Sequence, residues 1–179
     1  MNTDRRMSAR RPAARARVVR AAGVALSAAL LAACASWMPS KTHPGDTPDD
    51  VVRVMGPPTA TYTMPDGHLR LEYNHMPAGK QTFMVDFDAA GHETHWEQVL
   101  DEHHFAAIVA GMGPQDVLRL IGPPTYTWHY FRPSPANTWL YRFETIQRCT
   151  LLEVSFDAAT GKVIDGDYPP DPACPDEHF

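Results

Sequence analysis

Gly45-Asp-Thr-Pro-Asp-Asp-Val-Val-Arg-Val-Met-Gly-Pro-Pro-Thr59 is written a second time, 66 residues later, as Gly111-Met-Gly-Pro-Gln-Asp-Val-Leu-Arg-Leu-Ile-Gly-Pro-Pro-Thr125. Nine of the fifteen positions are identical, so the chain is one structural unit used twice. Each copy carries its own start and stop. Thr47-Pro48 and Gly113-Pro114 place proline near a first helical position, where its missing N–H costs nothing. Thr47 can cap through its hydroxyl, and Gly113 cannot. Val51, Val54 and Met55, like Val117, Leu120 and Ile121, fall at i, i+3, i+4, the spacing of one apolar helical face. Gly56 and Gly122 then end the helix, and the following Pro-Pro forbids its continuation.

Segments with strand character follow each stop. Ala60–Thr63 and Leu69–Tyr73 flank the turn sequence Met64-Pro-Asp-Gly-His68. Thr82–Phe87 leads into Asp88-Ala-Ala-Gly91, then His92–Leu100. The second copy offers Tyr126–Phe131, Thr138–Phe143, Thr150–Phe156, a turn at Asp157–Gly161 and a short strand at Lys162–Ile164. Val85-Asp-Phe-Asp-Ala-Ala-Gly91 answers Val154-Ser-Phe-Asp-Ala-Ala-Thr-Gly161, so the likeness runs through the strands. Asp101–Val109 reads as an extra helical turn between the copies. The expected fold is α+β: two tandem units, each a short helix followed by about three antiparallel strands, forming a two-layer sandwich with the helices on one face of a joined sheet. The boundaries are a signal at 1–33, a tether at 34–43, the first repeat at 44–101, the second at 102–168, and a Pro/Asp-rich tail at 169–179.

The amino terminus decides the compartment. Seven arginines fall in the first 20 residues against a single acid, and Ala21–Ala33 then carries no charge. This basic, apolar, small-residue order is that of an export signal, and its apolar run is too short to span a bilayer, which needs about 20 residues. Leu31-Ala-Ala-Cys34 resembles the lipobox of bacterial lipoproteins. The resemblance implies acylation of the Cys34 thiol and cleavage after Ala33, with Ala35 favouring the outer membrane over the inner one. Residues 34–179 hold 9 Lys+Arg against 20 Asp+Glu, a formal charge of −11. Such a chain is a poor ligand for nucleic acid, and anionic head groups repel it, so membrane attachment rests on the lipid. Trp37 is placed to meet the membrane interface or to lie in the tether. Two further cysteines, Cys149 and Cys174, form an even pair that an oxidising periplasm most simply converts to a disulfide; two free thiols are the alternative.

A lipobox, a Gly-x-x-x-x-x-Val helix, Gly-Pro-Pro, a strand with an aromatic residue and Val-x-Phe-Asp-x-x-Gly together resemble the BamE (SmpA/OmlA) family of outer-membrane lipoproteins. The doubling is similar to the fold of secreted β-lactamase inhibitor proteins, which pair two helix-plus-strands units. The first resemblance implies a periplasm-facing, protein-binding lipoprotein in outer-membrane protein assembly or envelope integrity. The second implies, alternatively, a proteinaceous inhibitor or binder of a periplasmic or secreted enzyme.

The side chains argue for binding rather than catalysis. His92 and His95 point to opposite faces if both lie on a strand, and His103-His104 has no metal-site motif, so no metal or other cofactor is expected. Asp86, Asp88, Asp157, Glu93 and Glu97 include acids at matching turn positions, where a carboxylate bonding its own backbone suffices. No phosphate loop or nucleophile motif is present, and no enzyme activity or small-molecule ligand is expected. Tyr126-Thr-Trp-His-Tyr-Phe131 is the candidate binding strip, with Trp128, Tyr130 and Phe131 as the residues to touch a partner. The competing reading puts Tyr126, Trp128 and Tyr130 against the helix-covered face.

Overall fold

Thr47 starts the first helix with a reciprocal cap. Its hydroxyl accepts the Asp50 N–H at 3.3 Å, and the Asp50 carboxylate accepts the Thr47 N–H at 3.1 Å. Helix α1 then runs Pro48–Met55. A short α2 covers Glu102–Phe105, capped by Asp101, and α3 covers Pro114–Ile121. Gly113 supplies only half a cap, its N–H bonding Asp116 at 2.8 Å. The computed structural model describes residues 39–131, 135–145 and 149–173; the side chains of Ser40, Tyr130, Phe131 and Pro135 lie outside that description. All described residues belong to the compact unit Trp37–Phe179.

The strands are β1 (Ala60–Thr63), β2 (Leu69–Asn74), β3 (Thr82–Phe87) and β4 (Glu93–Gln98), then β5 (Tyr126–Phe131), β6 (Pro135–Arg142), β7 (Leu151–Asp157) and β8 (Val163–Asp167). They form two separate four-stranded antiparallel sheets, ordered β1-β2-β3-β4 and β5-β6-β7-β8. The mixed α+β class is as expected. Two details differ: each unit has four strands rather than about three, and the sheets are not joined into one.

The copies match down to individual hydrogen bonds. Tyr73 donates its hydroxyl to the Gly56 carbonyl and Tyr141 to that of Gly122, both at 3.2 Å. Gly45 N–H bonds the Glu93 carbonyl, and Gly111 N–H that of Val163, both at 2.8 Å. A register shift falls between Asp86 and Phe87 in one sheet and between Ser155 and Phe156 in the other.

Period-two alternation assigns the faces. Val51 and Met55 of α1 are buried with Leu71, Tyr73, Phe83, Val85 and Phe87 on one face of the first sheet. The opposite face, carrying Tyr62, Arg70, Glu72 and Met84, meets α3. Arg70 Nη1 donates to the Arg119 carbonyl at 3.0 Å. Met84 belongs to the second core, with Val117 and Ile121 of α3 and Tyr141, Leu152, Val154 and Phe156 of the second sheet. By contact the order is therefore α1, first sheet, α3, second sheet.

Both ends of the described chain are built into this arrangement. Thr42, from the stretch expected to be tether, is buried, and its hydroxyl bonds the Pro39 carbonyl at 2.9 Å and Glu93 Oε1 at 3.0 Å. At the other end, Leu151 N–H bonds the Pro169 carbonyl at 2.9 Å and Asp171 N–H that of Cys149 at 3.1 Å, so the proline-rich segment starts alongside β7.

Candidate functional site

The second sheet presents two unlike faces because its strands alternate in step. Trp139 lies opposite Thr127 and Val154, and Tyr141 opposite Leu152. These larger apolar groups share the face that meets α3. The other parity, Tyr126 and Trp128 opposite Leu140 and Thr138, with Leu151, Glu153 and Ser155 beyond, is the outer face. Tyr126 is 41% exposed and Trp128 59%. The reading that put Tyr126 and Trp128 under the helix is thus corrected: the helix-covered face is taken by Trp139 and Tyr141, one residue out of phase. Tyr130 and Phe131 close β5 opposite Ala136 and Pro135, and their side chains lie outside the description.

The tail shapes this face into a groove. The Arg142 guanidinium lies over the Tyr126 ring, 5.0 Å from its centroid. It is clamped by the Asp171 carboxylate in two bonds, Nε at 2.7 Å and Nη2 at 3.0 Å. Arg142 holds the Asp171 carboxyl below the usual carboxylate range. Pro169, Pro170 and Pro172 then wall a groove of about 640 Å³ over Tyr126, Trp128 and Leu140. Its far side is acidic. Glu153 bonds Ser155 at 3.2 Å, and Asp167 and Asp165 sit opposite them on β8.

A second polar cluster fills the seam between the first sheet and α3. Glu72 is 1% exposed and accepts bonds from Thr59 at 2.8 Å, Tyr62 at 2.6 Å and the Asn74 amide. Burial, then the Glu72 hydrogen bond, pushes the Tyr62 phenol well above its ordinary range. Beside it, Asp86, His95 and Glu97 place one potential ligand atom each within 4.8 Å of one another. Arg70 already supplies a cation there. Its Nε and Nη2 take the two Asp86 oxygens at 2.6 Å each, and Nη2 reaches Glu97 at 3.5 Å. His104 closes the network between Asp101 at 2.7 Å and Glu97 at 3.2 Å. The fit is that of an ion-pair network. Sequence reasoning weighed His92 with His95, but the fold parts them: His92 sits 3.9 Å from Asp88, and His95 3.4 Å from Asp86. The missed signal was the pairing of His95 and Glu97 on one strand face with Asp86 across the ladder.

The remaining acids have structural engagements. Asp88 accepts the Ala90 and His92 N–H groups at 2.9 Å each. Asp157 accepts those of Ala159 at 3.2 Å and Thr160 at 2.7 Å. These turn bonds lower the Asp88 carboxyl's pKa, and the Thr160 hydroxyl, donating at 2.7 Å, followed by the backbone bonds, lowers that of Asp157. Glu93 is 2% exposed, its Oε2 has no partner, and burial raises its pKa.

Cys34 and Trp37 lie outside the described residues, as does Cys174; Cys149 is one half of a disulfide. Among the described residues, no helix is long and apolar enough to cross a membrane. The chain matches no family model and no curated protein.

Proposed function

We propose that this chain is a lipid-anchored, non-enzymatic docking module on the periplasmic side of the outer membrane, serving outer-membrane protein assembly or envelope integrity. Its two tandem units are read as two-layer helix-on-sheet sandwiches placed one after the other, with Cys34 as the acylated anchor and Cys149–Cys174 as the bond that secures the tail. The observation carrying the docking reading is the outer face of the second sheet. An indole 59% exposed beside a half-exposed tyrosine, in a groove walled by prolines, is the arrangement in which contact energy concentrates. The anchor reading rests on Leu31-Ala-Ala-Cys34 behind a basic, apolar leader. Two or more acyl chains hold a protein firmly, each buried CH₂ contributing about 0.8 kcal/mol. The alternative, an inhibitor or binder of a periplasmic or secreted enzyme, is supported by the doubled unit and would use the same face.

The test has two parts. Cys34→Ala should move the protein from the membrane fraction to the soluble fraction; retention in the membrane would sink the anchor. A photo-crosslinking residue in place of Ala173, an exposed position lining the same groove, should capture a component of the barrel-assembly machinery in intact cells. Capture of a soluble hydrolase instead would favour the inhibitor reading.

A further inference from the structure

The molecule contains its own precedent for what covers such a sheet. On the first sheet, the face bearing Tyr62, Glu72 and Met84 receives α3: Arg70 bonds the Arg119 carbonyl, and Gly122 lies against Thr82 and Glu72. The equivalent positions of the second sheet, by ladder register, are Trp128, Leu140 and Glu153. No helix of the described residues lies on them; this surface has leucine where the first sheet has the buried Glu72, an indole in place of the Tyr62 phenol, and Glu153 in place of Met84. Along β5 and β6 it is more apolar than the helix-covered face, its acid lies on β7, and beside the proline wall Trp128 keeps 59% of its surface exposed. One border of it is acidic, through Glu153, Asp165 and Asp167, while Arg142 is held by Asp171. The chain's own free helix, α1, is a poor occupant, because Asp49 and Asp50 lie in its first turn and residues 34–179 carry a net −11.

Resting on the docking reading above, we propose that the outer face of the second sheet receives a basic amphipathic helix of a partner protein, seated as α3 is on the first. Its apolar stripe covers Trp128 and Leu140, and its lysines or arginines face Glu153, Asp165 and Asp167.

The test uses the full chain in detergent micelles and three synthetic peptides of equal length. One carries leucines at i, i+3, i+4, i+7 flanked by lysines, one has the same leucines flanked by glutamates, and one is a scrambled lysine peptide. The lysine-flanked peptide should bind and become helical. Its dissociation constant should rise about tenfold with Trp128→Ala, and about threefold when Glu153→Gln, Asp165→Asn and Asp167→Asn are combined. Equal binding of the glutamate peptide or the scrambled peptide overturns the proposal, as does lysine-peptide binding indifferent to Trp128→Ala. Crosslinking from position 173, at the rim of the same groove, in cells then separates the two claims. A basic helix caught there supports the proposal. A strand, a loop or a second copy of this chain overturns the helix and leaves docking standing, and no adduct at all overturns both.

Discussion

A Cβ added at Gly122 would lie 2.9 Å from Thr82 Cγ2 and 3.1 Å from Glu72 Oε2, whereas one added at Gly56 would meet nothing within 4 Å. Both glycines follow the repeat helix at positive φ, +86° and +77°, with extended ψ, a region only glycine occupies without strain. Gly56→Ala should therefore cost about 1–3 kcal/mol from the backbone alone. Gly122→Ala should cost about 1–3 kcal/mol more, because it also presses on the seam. Urea midpoints of the two variants check this, and equal losses would mean the seam is looser than the geometry requires. Glu93 gives a second single-residue prediction. It occupies the place of Val163, each lying opposite the phenylalanine after the register shift. Burial raises its folded pKa above the ordinary 4.5. The folded state then holds its proton to higher pH than the unfolded chain, so stability falls as pH rises from 4.5 through the folded value and levels off above it. Glu93→Gln should remove that decline: relative to wild type, the variant gains stability from pH 4 to pH 7. The lowered aspartates, Asp50 and Asp171 among them, act oppositely, their stabilisation being lost in acid; the difference between wild type and variant isolates Glu93.

At the scale of the element, the two repeat helices differ mainly at their starts. Thr47 closes a full capping box, while Gly113 has no side chain to accept the Asp116 N–H. Gly113 has an ordinary φ of −88°, and a Cβ there meets only Asp116 and Lys162 at 3.5 Å or more. Gly113→Thr should thus stabilise by about 0.5–1 kcal/mol, through the added cap and a less flexible unfolded chain, raising the melting temperature by roughly 2–4 °C. Thr47→Ala should cost about 1 kcal/mol. Thermal unfolding of both variants measures the exchange, and no gain from Gly113→Thr would show that α3 is already fixed by its packing. These elements were legible because their signals are local. Thr-Pro or Gly-Pro at the start, Gly-Pro-Pro at the end and the i, i+3, i+4 apolar positions mark α1 and α3, and an Asp-x-x-Gly and an Asp-x-x-x-Gly turn mark the β3–β4 and β7–β8 hairpins. The facing of β5 was not legible. Tyr126-Thr-Trp-His-Tyr-Phe131 has aromatic groups on both parities, so its alternation does not choose a side. Trp139 and Tyr141, on the next strand, make that choice.

Across the whole molecule, the layer order was hidden from the sequence because it depends on what the second repeat helix, α3, does with its two sides. An amphipathic face toward its own sheet was readable; the contact of α3 with the first sheet arises from Arg70, Glu72, Met84 and Gly122, none of which carries a sequence signature for it. That contact makes the two repeats energetically one body. Met84, Val99 and Leu100 of the first repeat are buried in the same core as Val117, Ile121, Tyr141 and Val154 of the second. Repeats joined only by a linker unfold independently, whereas repeats sharing a core unfold together. Met84→Ala opens a cavity at that shared surface and should cost about 2–5 kcal/mol. The loss should show equally in both units: amide exchange in β2 and β3 and in β6 and β7 should accelerate together, and denaturant transitions followed in the two halves should coincide. Acceleration confined to β2 and β3, with β6 and β7 still protected, would mean that α3 and the second sheet form a self-sufficient unit on which the first repeat merely rests.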